Sequence, residues 1–146
     1  MKKTLALIAA ALLSACGGGS SSSPPDPFAN ATPITPGTPV VGTISSDTEY
    51  DAYAFTVPAG GATVHFQTFD EGGTACDPVN GRVDTTVEVF DASRTSLWYE
   101  DDSLSVPSAQ PWCEDFSVPL AAGTHFAVVG GWGPFPFNYT LRIEIL

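Results

Sequence analysis

Glu49-Tyr50-Asp51-Ala52-Tyr53-Ala54-Phe55-Thr56-Val57-Pro58-Ala59-Gly60-Gly61 is the stretch that decides the fold. Tyr53, Phe55 and Val57 alternate with Ala52, Ala54 and Thr56, so one face of an extended strand is large and apolar. Pro58-Ala59-Gly60-Gly61 then turns the chain. The alternation resumes at Val64 and Phe66 and stops near Asp70-Glu71-Gly72-Gly73. It recurs in Asp84–Asp91 with Val87 and Val89, and briefly at Leu97 and Tyr99 before Asp101-Asp102. Phe116 and Val118 precede an Ala121-Ala122-Gly123 turn, Phe126 and Val128 follow it, and Tyr139, Leu141, Ile143 and Ile145 close the chain. With Val40–Ser45 this makes about eight short strands separated by turn residues, with no helical period. The pattern is all-β, an antiparallel sandwich or barrel.

The other end of the chain carries an address. Lys2-Lys3 and an apolar run from Thr4 to Ala15, ending in Leu13-Ser14-Ala15-Cys16, have the anatomy of an export signal. A run of about 12 apolar residues is too short to span a bilayer, which takes about 20. Leu-Ser-Ala-Cys resembles the lipobox of bacterial lipoproteins, which implies cleavage after Ala15 and lipidation of Cys16. Such an anchor carries two or three acyl chains, enough for stable attachment where one would be marginal. Gly17 rather than Asp after the Cys implies outer-membrane sorting. The expected organisation is a signal peptide over residues 1–15, a lipidated Cys and flexible tether over 16–27, and one domain over 28–146. Gly17–Pro27 is Gly, Ser and Pro with a single Asp, and reaches at most about 35–40 Å. The expected location is the cell envelope, lipid-anchored, at the outer membrane.

The domain, of about 120 residues, is long enough to bury a core without a metal. The precursor carries five basic and sixteen acidic residues, net −11, and loss of Lys2 and Lys3 leaves −13. Arg82, Arg94 and Arg142 are then its only basic residues besides histidine. That excludes a nucleic-acid partner, whose affinity rests on phosphate neutralisation, and disfavours direct docking on anionic lipid. The acidity suits either plain solubility or divalent cations. Once Cys16 is assigned, Cys76 and Cys113 remain, most simply as one disulfide in an exported protein. Closing that loop would stabilise the fold by roughly 4 kcal/mol.

Several segments together resemble the bacterial pre-peptidase C-terminal (PPC) domain. They are Glu49-x-Asp51-x-Tyr53-x-Phe55-x-Val57-x-Ala59-Gly60, Asp84-Thr85-x-Val87-x-Val89-Phe90-Asp91, Glu100-Asp101-Asp102, Gly123-Thr124-His125-Phe126-x-Val128 and Tyr139-x-Leu141-x-Ile143. The resemblance runs from about Ala31 to Ile145. It implies a jelly-roll-like β-sandwich, usually appended to secreted peptidases, in some cases binding calcium or an extracellular ligand. The Cys76/Cys113 pair and the Phe-Pro-rich segment after Trp132 depart from the pattern, and no catalytic domain accompanies it in this sequence.

Two constellations could carry chemistry. Asp84, Asp101 and Asp102 offer only hard oxygen donors, which calcium prefers, with Asp51 and Asp91 in reserve. Alternatively Asp101-Asp102-Ser103 simply terminates a strand, a role that suits Asp. Trp112, Trp132, Phe135 and Phe137 fall in stretches held by Pro111, Pro134 and Pro136. Trp132 and Phe135 are the candidate ligand contacts, because rigid loop aromatics make low-entropy anchors; the other reading has them plugging the sandwich. Trp112 is expected to pack on the disulfide.

His65 and His125 lie out of phase with their apolar neighbours and are expected on solvent-facing sides. With no Gly-x-Ser-x-Gly elbow and no His-Glu-x-x-His helix, catalysis is not expected. The function expected is therefore a membrane-anchored, non-catalytic module for an extracellular protein or glycan, with calcium as the candidate cofactor. The alternatives are a structural envelope module without a discrete ligand and, behind it, a small hydrolase.

Overall fold

The computed structural model describes Asp26 and residues 28–70, 84–101 and 113–146. Among these residues there are nine strands and no helix. They are β1 (Thr32–Pro33), β2 (Val40–Ile44), β3 (Asp51–Val57), β4 (Ala62–Asp70), β5 (Asp84–Asp91), β6 (Ser96–Asp101), β7 (Asp115–Leu120), β8 (Gly123–Trp132) and β9 (Phe137–Ile145). Two sheets form, one in the order β1-β3-β8-β5-β6 and the other β2-β9-β4-β7. The fold is a β-sandwich, and each of the eight strands expected from the sequence is present. The ninth, β1, pairs in parallel with β3, Thr32 opposite Tyr53 and Pro33 opposite Ala54. Pro33 lacks the N–H a central strand needs, so β1 can serve only at an edge.

The inward faces follow the alternation in most strands. Phe55 of β3 meets Phe66 of β4 edge-on at 5.7 Å, and Phe66 stacks on Phe116 of β7 at 5.1 Å. Val87 and Val89 of β5 and Tyr139, Leu141 and Ile143 of β9 complete the filling. Phe137 begins β9 and is buried in this core, where the sequence suggested a loop aromatic.

Two hydroxyl pairs tie one sheet to the other. Thr68 of β4 bonds Thr85 of β5 at 2.7 Å, and Tyr53 of β3 donates to the Tyr139 hydroxyl of β9 at 2.8 Å. A buried polar group is tolerated when it is paired in this way.

β8 reverses the expected phase. Its inward residues are His125, Ala127 and Val129, while Phe126 and Val128 look outward. His125 is therefore not solvent-facing: it is 4% exposed, stacked on Phe55 at 5.9 Å, with Nδ1–H donating to Gly123 O at 3.2 Å. Phe126 is sheltered instead by Phe28, which also meets Phe90 of β5, with ring centroids 5.1 and 5.0 Å away. Arg94 holds this clamp, its guanidinium 5.5 Å over the Phe28 ring and 2.6 Å from Asp26.

His65 does lie on an outer face, that of the four-stranded sheet. Burial alone would push the Asp115 carboxyl up, but hydrogen bonds from His65 Nε2 (2.7 Å) and Gln67 (2.8 Å) hold it below its ordinary 3.8. Asp115→Asn should then cost less than about 1 kcal/mol at neutral pH, the range for partly exposed ion pairs. A depressed folded pKa stabilises above the unfolded value and loses that contribution as pH falls through the folded one. Thermal melts of both proteins should therefore converge between pH 5 and pH 2; a gap undiminished at pH 2 would assign the effect to packing.

Candidate functional site

The outer face of the five-stranded sheet is built by strict register. Asp84, Thr86, Glu88 and Phe90 of β5 stand opposite Trp132, Gly130, Val128 and Phe126 of β8. On the other side of β5, Asp101 and Tyr99 of β6 stand opposite Thr86 and Glu88. The Phe28 clamp covers the Phe90–Phe126 end. The remaining end forms a cleft of about 160 Å³, lined by Thr86, Glu88, Tyr99, Val128, Gly130, Gly131 and Trp132 and roofed by Asp47 and Tyr50 from the turn before β3.

Glycine makes the cleft possible. Gly130 lies buried beneath Tyr50, and a Cβ there would come 3.1 Å from two Tyr50 ring carbons and 3.0 Å from Thr86 Oγ1. Gly131 points inward, where a Cβ would fall 2.4 Å from Phe137 Cζ and 2.5 Å from the Asp84 carbonyl oxygen. A glycine doublet inside a strand often marks such a close approach.

The walls are aromatic and open: Tyr50, Tyr99 and Trp132 are 59%, 54% and 56% exposed. Large side chains gathered around a concavity and left in water are characteristic of an interaction site. The charged lining groups are acids, Asp47 and Glu88. Ser96 Oγ donates to Glu88 Oε1 at 2.5 Å and fixes that carboxylate. The Tyr99 phenol is pushed above its ordinary pKa, first by burial and then by Asp101, Glu114 and Glu88.

The candidates named from sequence fall in different places. Trp132 stands in the cleft. Phe135 turns the other way, stacking on Phe137 at 5.6 Å and packing against the core. Asp84 and Asp101 sit on adjoining strands of the cleft face, whereas Asp102 lies outside the described residues. Among the described residues no group of three or more His, Cys, Asp or Glu is placed to hold a metal. Asp91 organises the β5–β6 turn, accepting from Ser93 N, Ser93 Oγ and Thr95 N at 2.8, 2.6 and 2.9 Å. Asp51 accepts from the Tyr139 hydroxyl at 2.8 Å. Cys113 is fully buried before β7; Cys16, Cys76 and Trp112 lie outside the described residues.

A second, larger concavity of about 550 Å³ runs along Thr48, Asp51 and Tyr53 beside the N-terminal segment. Burial raises the pKa of Tyr53 and, much further, that of Tyr139, and Asp51 is already engaged by Tyr139. Of its two lining tyrosines, Tyr53 is buried and bonded to Tyr139, and Tyr50 is shared with the smaller cleft; that cleft gathers three exposed aromatics, and we take it as the site. Sequence reasoning had singled out neither Tyr50, Tyr99 nor Glu88; the signal was the Gly130-Gly131 doublet leading into Trp132.

No family model and no curated protein matches the sequence. Among solved structures, the fold is similar to the pre-peptidase C-terminal domain of collagenase from Bacillus anthracis. That match has a TM-score of 0.55 at 16% identity, covering 78% of this chain and 94% of that one. The Yersinia pseudotuberculosis-derived mitogen aligns with a TM-score of 0.45 at 10% identity, over 75% of this chain and 85% of that one. The first likeness is one of fold; the second carries no argument.

Proposed function

We propose that this chain is a lipid-anchored, non-catalytic binding module of the bacterial cell envelope, and that its protein or glycan partner seats in the outer-face cleft. The observation that carries the reading is the trio of exposed aromatics, Tyr50, Tyr99 and Trp132, around a glycine floor. Anchoring rests on Cys16 and the segment before it, and a Cys76–Cys113 bridge is consistent with the complete burial of Cys113.

Against a hydrolase, Asp47 is exposed on a turn and Glu88 is fixed by Ser96. A carboxylic-acid catalyst needs an apolar site that keeps it protonated. His125 is sealed in the core, and His65 is on the opposite sheet, bound to Asp115.

The test is Trp132→Ala in the full-length protein, assayed against an array of envelope glycans and proteins. Trp132 is exposed, so the melting temperature should stay within about 2 °C while binding falls by roughly tenfold or more. Binding that survives both Trp132→Ala and Tyr50→Ala would move the site elsewhere.

Calcium is the proposed cofactor, with Asp84, Asp101 and Asp102 as its proposed ligands, the first two on one face of the five-stranded sheet. Excess calcium at a hundredfold over Kd would stabilise the fold by about 2.7 kcal/mol. The expected result is a melting temperature raised by calcium, not by magnesium, and restored by chelator. An unchanged melt would leave Asp84 and Asp101 as strand-end residues.

A further inference from the structure

The cleft combines aromatic faces with acids and no base. Asp47 and Glu88 line it, and Asp84 and Asp101 flank Thr86 on the same sheet face. The two arginines among the described residues are engaged elsewhere, Arg94 with Asp26 and Phe28, Arg142 with Gln67 on the other sheet. Aromatic rings attract cations through the negative potential of their faces, and nearby carboxylates add to it. Beyond the partial burial of its hydroxyl, the Tyr99 phenol is held above its ordinary pKa by carboxylates that include Asp101 and Glu88 of this face.

Size narrows the guest. At about 160 Å³ the space is comparable with a cavity of about 150 Å³ that accepts one benzene-sized molecule. It takes a single planar head with its stem, and a sugar chain would have to lie largely outside. A guanidinium is flat, stacks on aromatic rings and aligns its N–H groups with carboxylates better than an ammonium does. The protein shows this chemistry within itself. Both described arginines sit over a ring, Arg94 on Phe28 at 5.5 Å and Arg142 on Phe69 at 5.2 Å, each also bonded to a side-chain oxygen.

Resting on the reading of this cleft as the binding site, we propose that its occupant is an arginine side chain of a partner protein. The guanidinium lies among Tyr50, Tyr99 and Trp132, with its N–H groups directed to Glu88 and Asp47. Ser96 holds Glu88 in place for it.

The test is titration of the full-length protein with N-acetyl-arginine amide, following the indole N–H resonances by NMR, with Trp132→Phe assigning the relevant one. N-acetyl-citrulline amide, of the same shape without charge, is the control, and methyl glucoside the competing chemistry. The expected result is a saturable shift of the Trp132 signal by the arginine probe, in the millimolar range for so small a ligand. Citrulline should bind about tenfold more weakly or worse, and added salt should weaken the arginine response. Glu88→Gln should weaken it by about tenfold with an unchanged melting temperature.

Equal responses to arginine and citrulline, or an arginine response indifferent to Glu88→Gln, would overturn the proposal. A Trp132 shift with methyl glucoside and none with arginine would overturn it while leaving the cleft as a binding site. A Trp132 shift with calcium chloride that is lost in Glu88→Gln, with no shift by the arginine probe, would assign the cleft carboxylates to a metal and also overturn it. No response to any probe, together with partner binding intact in Trp132→Ala, would remove both readings.

Discussion

Phe66→Ala should destabilise the folded protein by about 3–5 kcal/mol, the range for truncating a buried Phe. The ring is fully buried in β4, between Ile143 of β9 and Phe116 of β7. It also meets Phe55 of the facing sheet. Its loss removes contacts within one sheet and between the two, and Phe55 and Phe116 cannot both collapse into one space. The melting temperature should fall by about 15 °C, at roughly 4 °C per kcal/mol for a domain of this size. Urea unfolding would check it. A loss below about 1 kcal/mol would mean that the sheets are not held together through this ring.

Gly131→Ala should be of similar size for the opposite reason, too much matter rather than too little. The new methyl would meet Phe137 and the Asp84 carbonyl at distances well inside contact. One neighbour is a buried ring and the other is backbone, so neither yields cheaply. Overpacking of this kind costs about 3 kcal/mol or more when the backbone must shift. Gly130→Ala is the informative companion. Its closest neighbours are Thr86 Oγ1 and the exposed Tyr50 ring, which can swing aside. That change should leave stability nearly intact while displacing Tyr50 from the cleft. If the two variants melt alike, the assignment of Gly131 to the core side and Gly130 to the ligand side is wrong.

Period-two alternation located every large strand, because one buried face imposes it whatever the topology. It could not supply the sign of β8. Phe126 is larger and more apolar than His125, and Val128 larger than Ala127, so the local pattern pointed the wrong way. What decides the phase is a covering group distant in sequence: Phe28 hides Phe126, and the stack on Phe55 accepts His125. A shift of one residue exchanges the two faces of a strand, and local pattern carries no information about which face is covered.

The site was legible in the same partial way. Trp132 stood out as an aromatic held by prolines. Phe135, in the same segment, proved to be a core-packing residue. Tyr99 looked like an ordinary strand residue and Tyr50 carried no signal, because the exposure of one depends on how β6 pairs with β5 and that of the other on the turn before β3. Asp84 and Asp101 come onto one sheet face because β5 pairs with β6, with Asp101 opposite Thr86. The acids that line the cleft, Asp47 and Glu88, are brought together by tertiary structure alone.

The Phe28 clamp has a consequence for how partners are met. It fixes the N-terminal segment to the same sheet face that carries the cleft, and Asp26, bonded to Arg94, is where the described chain begins on that face. In the proposed anchored state, the ten residues from Gly17 to Asp26 confine the domain within about 35 Å of its lipid. A partner held in the same membrane is then encountered at an effective concentration that short flexible linkers raise to about the millimolar level. At that local concentration a contact with millimolar intrinsic affinity is occupied about half the time. Co-residence in one leaflet would thus keep a single weakly held side chain engaged about as often as not, and the same contact would dissolve once either protein left the membrane.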